Sequence, residues 1–106
     1  MARLKLYWSK VAKAQRDHIF NYWIERTGSF SYAKTLNKLI IARTTLINAY
    51  PQIGKKTNYS DVRVSIIKHY SIIYIALKDK IIILGFWDNR QDSAQLKKFI
   101  EQQFDK

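Results

Sequence analysis

The chain has no cysteine, one proline, three glycines and only eight acidic residues among 106. Without cysteine it can build neither a disulfide framework nor a thiolate metal site. The two histidines, His18 and His69, lie far apart and lack ligand spacing, so no metal is expected. No cofactor is expected either, because Gly54 stands alone, without the spacing of a phosphate-binding loop. The longest unbroken apolar run, Ile81 to Trp87, is seven residues, against the roughly 20 that cross a bilayer. The opening Met-Ala-Arg-Leu-Lys-Leu-Tyr-Trp interleaves charge with apolar residues and offers no signal-peptide core. The expectation is a cytoplasmic protein without membrane association, folded as one domain over residues 1–106 with one modest core.

Positive charge is abundant. Nineteen Lys and Arg give a formal net charge of +11. Residues 1–60 hold eleven Lys/Arg against two acids, Asp17 and Glu25, and no acid lies between Arg26 and Ser60. Such an excess points to a polyanionic partner: nucleic acid or an acidic protein ahead of a membrane surface.

The pattern predicts β-α-α-β-β-β-α. Arg3 to Trp8 alternates, with Leu4, Leu6 and Trp8 on one face, which predicts a half-buried strand. Ser9 is placed to cap a helix over roughly residues 9–27, whose inward stripe is Ala12, Ile19 and Trp23. Arg16 interrupts that stripe and is expected to snorkel from its edge. Gly28 ends the helix, and Ser29 or Ser31 caps a second one reaching about Tyr50. The short link makes the two helices an antiparallel hairpin. Gln52 to Ser60 reads as a basic loop.

Three strands rich in Ile, Val and Tyr follow at 61–67, 70–77 and 81–87, with links short enough for an antiparallel meander. The last strand lacks alternation and is expected to be the most buried. A final helix, capped by Asp92 or Ser93, turns Leu96, Phe99, Ile100 and Phe104 inward. Helices over one face of a small antiparallel sheet define an α+β sandwich. The strand ends are expected to gather basic and aromatic residues into one concave, positively charged patch.

Several segments in this order resemble the RelE/ParE family of type II toxin–antitoxin toxins, with the ParE-like branch nearest. They are Tyr7-Trp8-Ser9, Tyr22-Trp23-Ile24, Tyr50-Pro51-Gln52-Ile53-Gly54, Val62-Arg63, His69-Tyr70-Ser71-Ile72-Ile73-Tyr74 and Trp87-Asp88-Asn89-Arg90-Gln91. The resemblance implies a growth-arresting protein neutralised by an acidic antitoxin. It implies one of two targets, DNA gyrase or the ribosome with its mRNA. The second would make the chain a metal-independent endoribonuclease.

Arg63 and Arg90 match positions that are basic in many family members, and are the cations for a phosphate or an acidic partner. Arginine stays protonated, so it stabilises charge and cannot act as the base. Histidine titrates nearest neutrality, which makes His69 the acid or base candidate of a catalytic set with Arg63 and Arg90. The partner-binding or nucleic-acid-binding candidates are Arg63, Lys68, Tyr70, Trp87, Asp88, Arg90 and Gln91. Several have a structural alternative. Arg63 can pair with Asp61 or Asp88, and Asp88 with Arg90 or Arg63. The four-residue spacing of Tyr70 and Tyr74 favours core packing over base stacking, and Trp87 can close the core as readily as anchor a partner.

Relative to the nuclease pattern, Ser71 stands where an arginine is expected and about Leu96 where a tyrosine is. No histidine follows the last strand. The acid–base set is incomplete, which favours a protein-binding toxin over an enzyme, and a non-toxic nucleic-acid-binding or antitoxin-binding module is the third reading. The antitoxin is expected in the groove beside the helical hairpin, on the basic face of the sheet, or as an added strand on a sheet edge.

Overall fold

The computed structural model describes residues 4–59, 61–91 and 93–102. Its elements are β1 (Lys5–Trp8), α1 (Lys10–Thr27), α2 (Ser31–Ala49), β2 (Lys55–Lys56), β3 (Val62–Ile67), β4 (Tyr70–Ala76), β5 (Lys80–Asp88) and α3 (Ser93–Gln102). The α+β class and the predicted order hold, with one strand added. The caps proposed at Asp92 and the inward Phe104 lie outside the described residues.

Local signals explain the helix ends. Ser9 Oγ accepts from the Ala12 N–H at 3.0 Å and starts α1. Gly28 adopts φ 67° and donates its N–H to the Ile24 carbonyl at 2.8 Å. That left-handed turn costs glycine little. The residue before α2 is Phe30, which supplies no side-chain cap. Ser29 Oγ instead accepts from the Ser31 N–H at 3.1 Å.

The five strands form one mixed sheet in the order β1-β5-β4-β3-β2. The meander β3-β4-β5 is antiparallel as predicted, whereas β1 pairs with β5 in parallel. The segment 52–60, expected as loop, contributes β2. Lys55 and Lys56 pair antiparallel with Val64 and Arg63. A two-residue strand of lysines carries no pattern of its own, and its state is set by the neighbouring strand.

The most buried strand is β4, not β5. Tyr70 to Tyr74 are all buried, while buried and half-buried positions alternate along much of β5. β4 is the central strand of five, so both its faces are covered. Tyr70, Ile72 and Tyr74 pack with Phe86 and with Ala12, Leu36, Ile40 and Ile47 of the helical hairpin. Ile73 packs on the other face with Val62, Leu84, Trp87, Leu96, Phe99 and Ile100. The helices therefore do not share one face: α1 and α2 cover one side, and α3 covers the opposite one. Arg16 does snorkel. Its guanidinium lies 4.7 Å from the Trp8 ring centroid.

β1 is four residues long and stops opposite Ile83, whereas β5 continues to Asp88. The far half of β5 is thus an edge strand, and α1 runs beside it. No described helix is long and apolar enough to cross a membrane.

Candidate functional site

A cavity of about 540 Å³ opens between α1 and the uncovered half of β5. Ala14, Gln15, His18, Ile19, Tyr22 and Trp23 line it from the helix, and Phe86, Trp87, Asp88, Arg90 and Gln91 from the strand and the turn after it. Its position follows from chain length: β1 ends too early to fill the space, and α1 leans across what remains.

An aromatic cluster holds the helix to the strands. Trp23 Nε1 donates to the Tyr70 hydroxyl at 2.9 Å. The Tyr70 ring stacks on Phe86 at 5.3 Å, and Trp23 packs on Tyr22 and Tyr32 at 5.2 and 4.8 Å. Burial pushes the Tyr70 phenol up to about 12. It stays protonated at neutral pH and serves as hydrogen-bond acceptor for the indole. Tyr70, a candidate for surface contact, is fully buried and offers its ring to no partner. The central position of β4 is the reason.

Arg90 and Asp88 form a closed pair. Arg90 Nη2 donates to Asp88 Oδ2 at 2.6 Å, and Arg90 Nε to Oδ1 at 3.0 Å. The Arg90 backbone N–H also donates to Oδ1 at 2.9 Å. The guanidinium also lies 5.7 Å from the Trp23 ring centroid. These bonds hold the Asp88 carboxyl below the usual carboxylate range and raise Arg90 further. The pair is locally neutral. The positive excess of the chain lies elsewhere, on exposed lysines such as Lys10, Lys13, Lys34, Lys38, Lys55 and Lys56.

Arg63 does not join this site. Its Nη1 donates to the Gln52 and Gly54 carbonyls at 3.1 and 2.8 Å. The same loop is held by the Tyr74 hydroxyl, which donates to the Pro51 carbonyl at 2.8 Å and accepts from the Gly54 N–H at 2.9 Å. Arg63 pairs in register with Tyr74, and Asp88 with Tyr70. Four residues of β4 separate the two positions, about 13 Å at roughly 3.3 Å per residue. The expected single concave patch is therefore divided, because Arg63 and Arg90 lie toward opposite ends of the sheet. Neither alternative partner proposed for Arg63 is used.

The remaining candidates scatter around the β3–β4 turn and the end of β5. Lys68, with φ 51°, and His69 form that turn and are exposed. Lys68 Nζ lies 6.0 Å from the Tyr32 ring centroid, and the His69 carbonyl accepts from the Asn89 N–H at 2.7 Å. Trp87 turns to the other face and packs on Phe99 at 5.7 Å, with its buried Nε1 unpaired. Gln91 is exposed and donates its N–H to the Asp88 carbonyl at 3.0 Å. Ser71 is buried, with its hydroxyl on Asn89 Oδ1 at 2.6 Å. Leu96 packs in the core beneath α3. No described group of three or more His, Cys, Asp or Glu is placed to hold a metal.

Sequence reading missed the helical wall of the groove. Gln15, Ile19, Tyr22 and Trp23 gave no chemical signal, and the one available cue was the aromatic pair Tyr22-Trp23 on a helix of mixed polarity.

The sheet, the helical hairpin and this groove define a small α+β protein with an open, aromatic-walled groove along one sheet edge. A solved structure titled "Chromosomal ParDE TA system from P. aeruginosa" has the same fold, with a TM-score of 0.69 and 19% identity. The match covers 81% of this chain and 96% of that one. Residues 6–93 match the family model described as the ParE toxin of the type II toxin–antitoxin system parDE, and the chain belongs to that family. No curated protein sequence matches it.

Proposed function

We propose that the chain is a growth-arresting toxin that acts by binding a protein, DNA gyrase being the target the family resemblance implies. An acidic antitoxin neutralises it. The observation that carries this reading is the character of the groove: aromatic walls and an arginine already closed on its own aspartate. Cleavage of RNA needs a base for the 2′-hydroxyl and an acid for the leaving oxygen. Tyr70 is buried and protonated, and Arg63 is remote and bound to a loop. Exposed lysines outside the groove supply long-range attraction for an acidic segment, while the groove supplies the desolvated anchor.

Induction of the gene, alone and together with an acidic antitoxin, tests the proposal. Growth arrest that the antitoxin relieves, and inhibited supercoiling by gyrase with purified protein, are the expected results. Ribosome-dependent mRNA cuts that disappear in Arg90→Ala would overturn it in favour of an endoribonuclease.

A further inference from the structure

The hydrogen-bonding groups along the groove edge select one kind of small ligand. Alternate residues of β5 turn their N–H and C=O groups away from β4. Along the first half β1 takes them, up to the Ser9 N–H on the Ile83 carbonyl at 3.0 Å. Further on, Ser9 Oγ donates to the Leu84 carbonyl at 3.3 Å, and Gln15 Oε1 accepts from the Phe86 N–H at 2.9 Å. At the far end the Asp88 carbonyl accepts from the Gln91 N–H at 3.0 Å. Three groups then lack a partner among the described residues: the Gln15 side-chain NH2, the Phe86 carbonyl and the Asp88 N–H. All three residues line the cavity of about 540 Å³.

The three groups read donor, acceptor, donor. The Gln15 amide is tied through its oxygen to the Phe86 N–H, which leaves its two N–H donors at the same strand edge. A carbonyl followed two residues later by an N–H suits a planar ligand whose own donor and acceptor stand on adjacent atoms. The complementary edge is acceptor, donor, acceptor. Adenine has it, because its 6-amino group stands between the ring nitrogens N1 and N7. Guanine carries a carbonyl in place of that amino group, and cytosine has no acceptor on the far side of its own. Uracil shows the pattern around N3, with only one ring to lay against Ile19 and Tyr22 of the α1 wall. The cavity volume falls within the range of about 300–1,000 Å³ that encloses small ligands.

We propose that the groove is a binding site for an adenine nucleotide. The amino group donates to the Phe86 carbonyl, N1 accepts from the Asp88 N–H, and N7 accepts from the Gln15 amide. The phosphate meets Arg90. That guanidinium spends Nε and Nη2 on Asp88, so its Nη1 hydrogens remain for an anion. The net charge of +11 favours the nucleotide over the uncharged nucleoside. The assignment rests on the strand edge and the cavity, and it stands apart from the toxin reading.

Titration of the isotope-labelled full chain with AMP, followed by amide NMR, tests the site. The Asp88 amide proton is expected to move downfield. Its exchange should slow roughly fivefold at saturation, as one hydrogen bond worth about 1 kcal/mol would give. Purine riboside monophosphate keeps both ring acceptors and lacks only the amino group, so it should bind about fivefold more weakly. Adenosine should also bind about fivefold more weakly than AMP, and Arg90→Ala should remove that difference while both ligands still shift Asp88. No Asp88 shift at millimolar AMP, or equal binding of GMP, UMP or the amino-free nucleotide, would overturn the proposal. An oligoadenylate that shifts Asp88 where AMP does not would overturn it in favour of a nucleic acid strand. Growth arrest, scored separately, bears on the toxin reading alone.

Discussion

Trp23 and Tyr70 stand 47 residues apart in sequence, and one hydrogen bond of 2.9 Å from the indole to the phenol joins them. That bond ties the groove wall on α1 to the start of the central strand. Tyr70→Phe removes the acceptor and leaves the half-buried indole N–H unpaired, at a cost of about 1 kcal/mol. Urea denaturation of the variant, with tryptophan fluorescence as the probe, checks this.

The same phenol sets a limit on the alkaline side. Its folded pKa is raised to about 12 by burial, against about 10 when the chain is unfolded. The folded state therefore holds the proton more tightly. The stability this confers is complete below about pH 10 and falls as pH rises toward 12. Tyr70→Phe is expected to flatten that part of the stability curve, as read by denaturation at a series of alkaline pH values.

Asp88 acts on the opposite side. Hydrogen bonds from Arg90 lower its carboxyl, so its stabilisation is present above the unfolded value of about 3.9 and is lost as pH falls through the folded value. The Arg90 side chain is 51% exposed, so solvent screening keeps the pair's worth to about 1 kcal/mol or less. Asp88→Asn should therefore cost little at neutral pH and should remove the acid-side slope. Unchanged acid sensitivity in the variant would show that other carboxylates govern it.

Some of this was legible in the sequence, and the limit was distance along the chain. The alternation of Leu4, Leu6 and Trp8, the cap at Ser9 and the left-handed Gly28 are local, and each predicted its element. Lys55-Lys56 becomes a strand only through β3, a long-range pairing no local pattern announces. The Ile81–Trp87 run looked most buried, yet burial follows rank in the sheet and the centre fell to β4. The groove was hidden for a related reason. It exists because β1 stops at Trp8 while β5 runs to Asp88, a mismatch between segments more than 70 residues apart. Arg63 and Arg90 were both singled out by residue type, and only the register shows that they serve different ends of the sheet.

That separation makes the two arginines distinguishable. Arg63→Ala removes charge-assisted bonds to two loop carbonyls and should cost about 1–2 kcal/mol, with toxicity falling only as far as the folded fraction does. Arg63→Lys should recover part of the loss. Arg90→Ala should stay within about 1 kcal/mol of the parent and yet weaken binding of the acidic partner. Denaturation curves measured beside partner affinity for all three variants separate the roles, and an Arg63→Ala protein of full stability and no toxicity would contradict them.

The helix on the far side of the sheet depends on one missing methyl group. A Cβ at Gly85 would lie 2.5 Å from Phe99 Cε2 and 2.8 Å from Cζ, and 3.2 Å from Gln15 Oε1. The Phe99 ring rests on bare backbone at the bulge where β5 changes register with β4. Gly85→Ala forces that ring outward, and overpacking of this kind costs about 1–3 kcal/mol. The loss should appear as faster amide exchange in α3, whose main anchors are Leu96, Phe99 and Ile100. The double variant Gly85→Ala with Phe99→Leu relieves the clash and should recover part of the stability. A destabilisation that the second substitution leaves untouched would place the strain at the bulge itself.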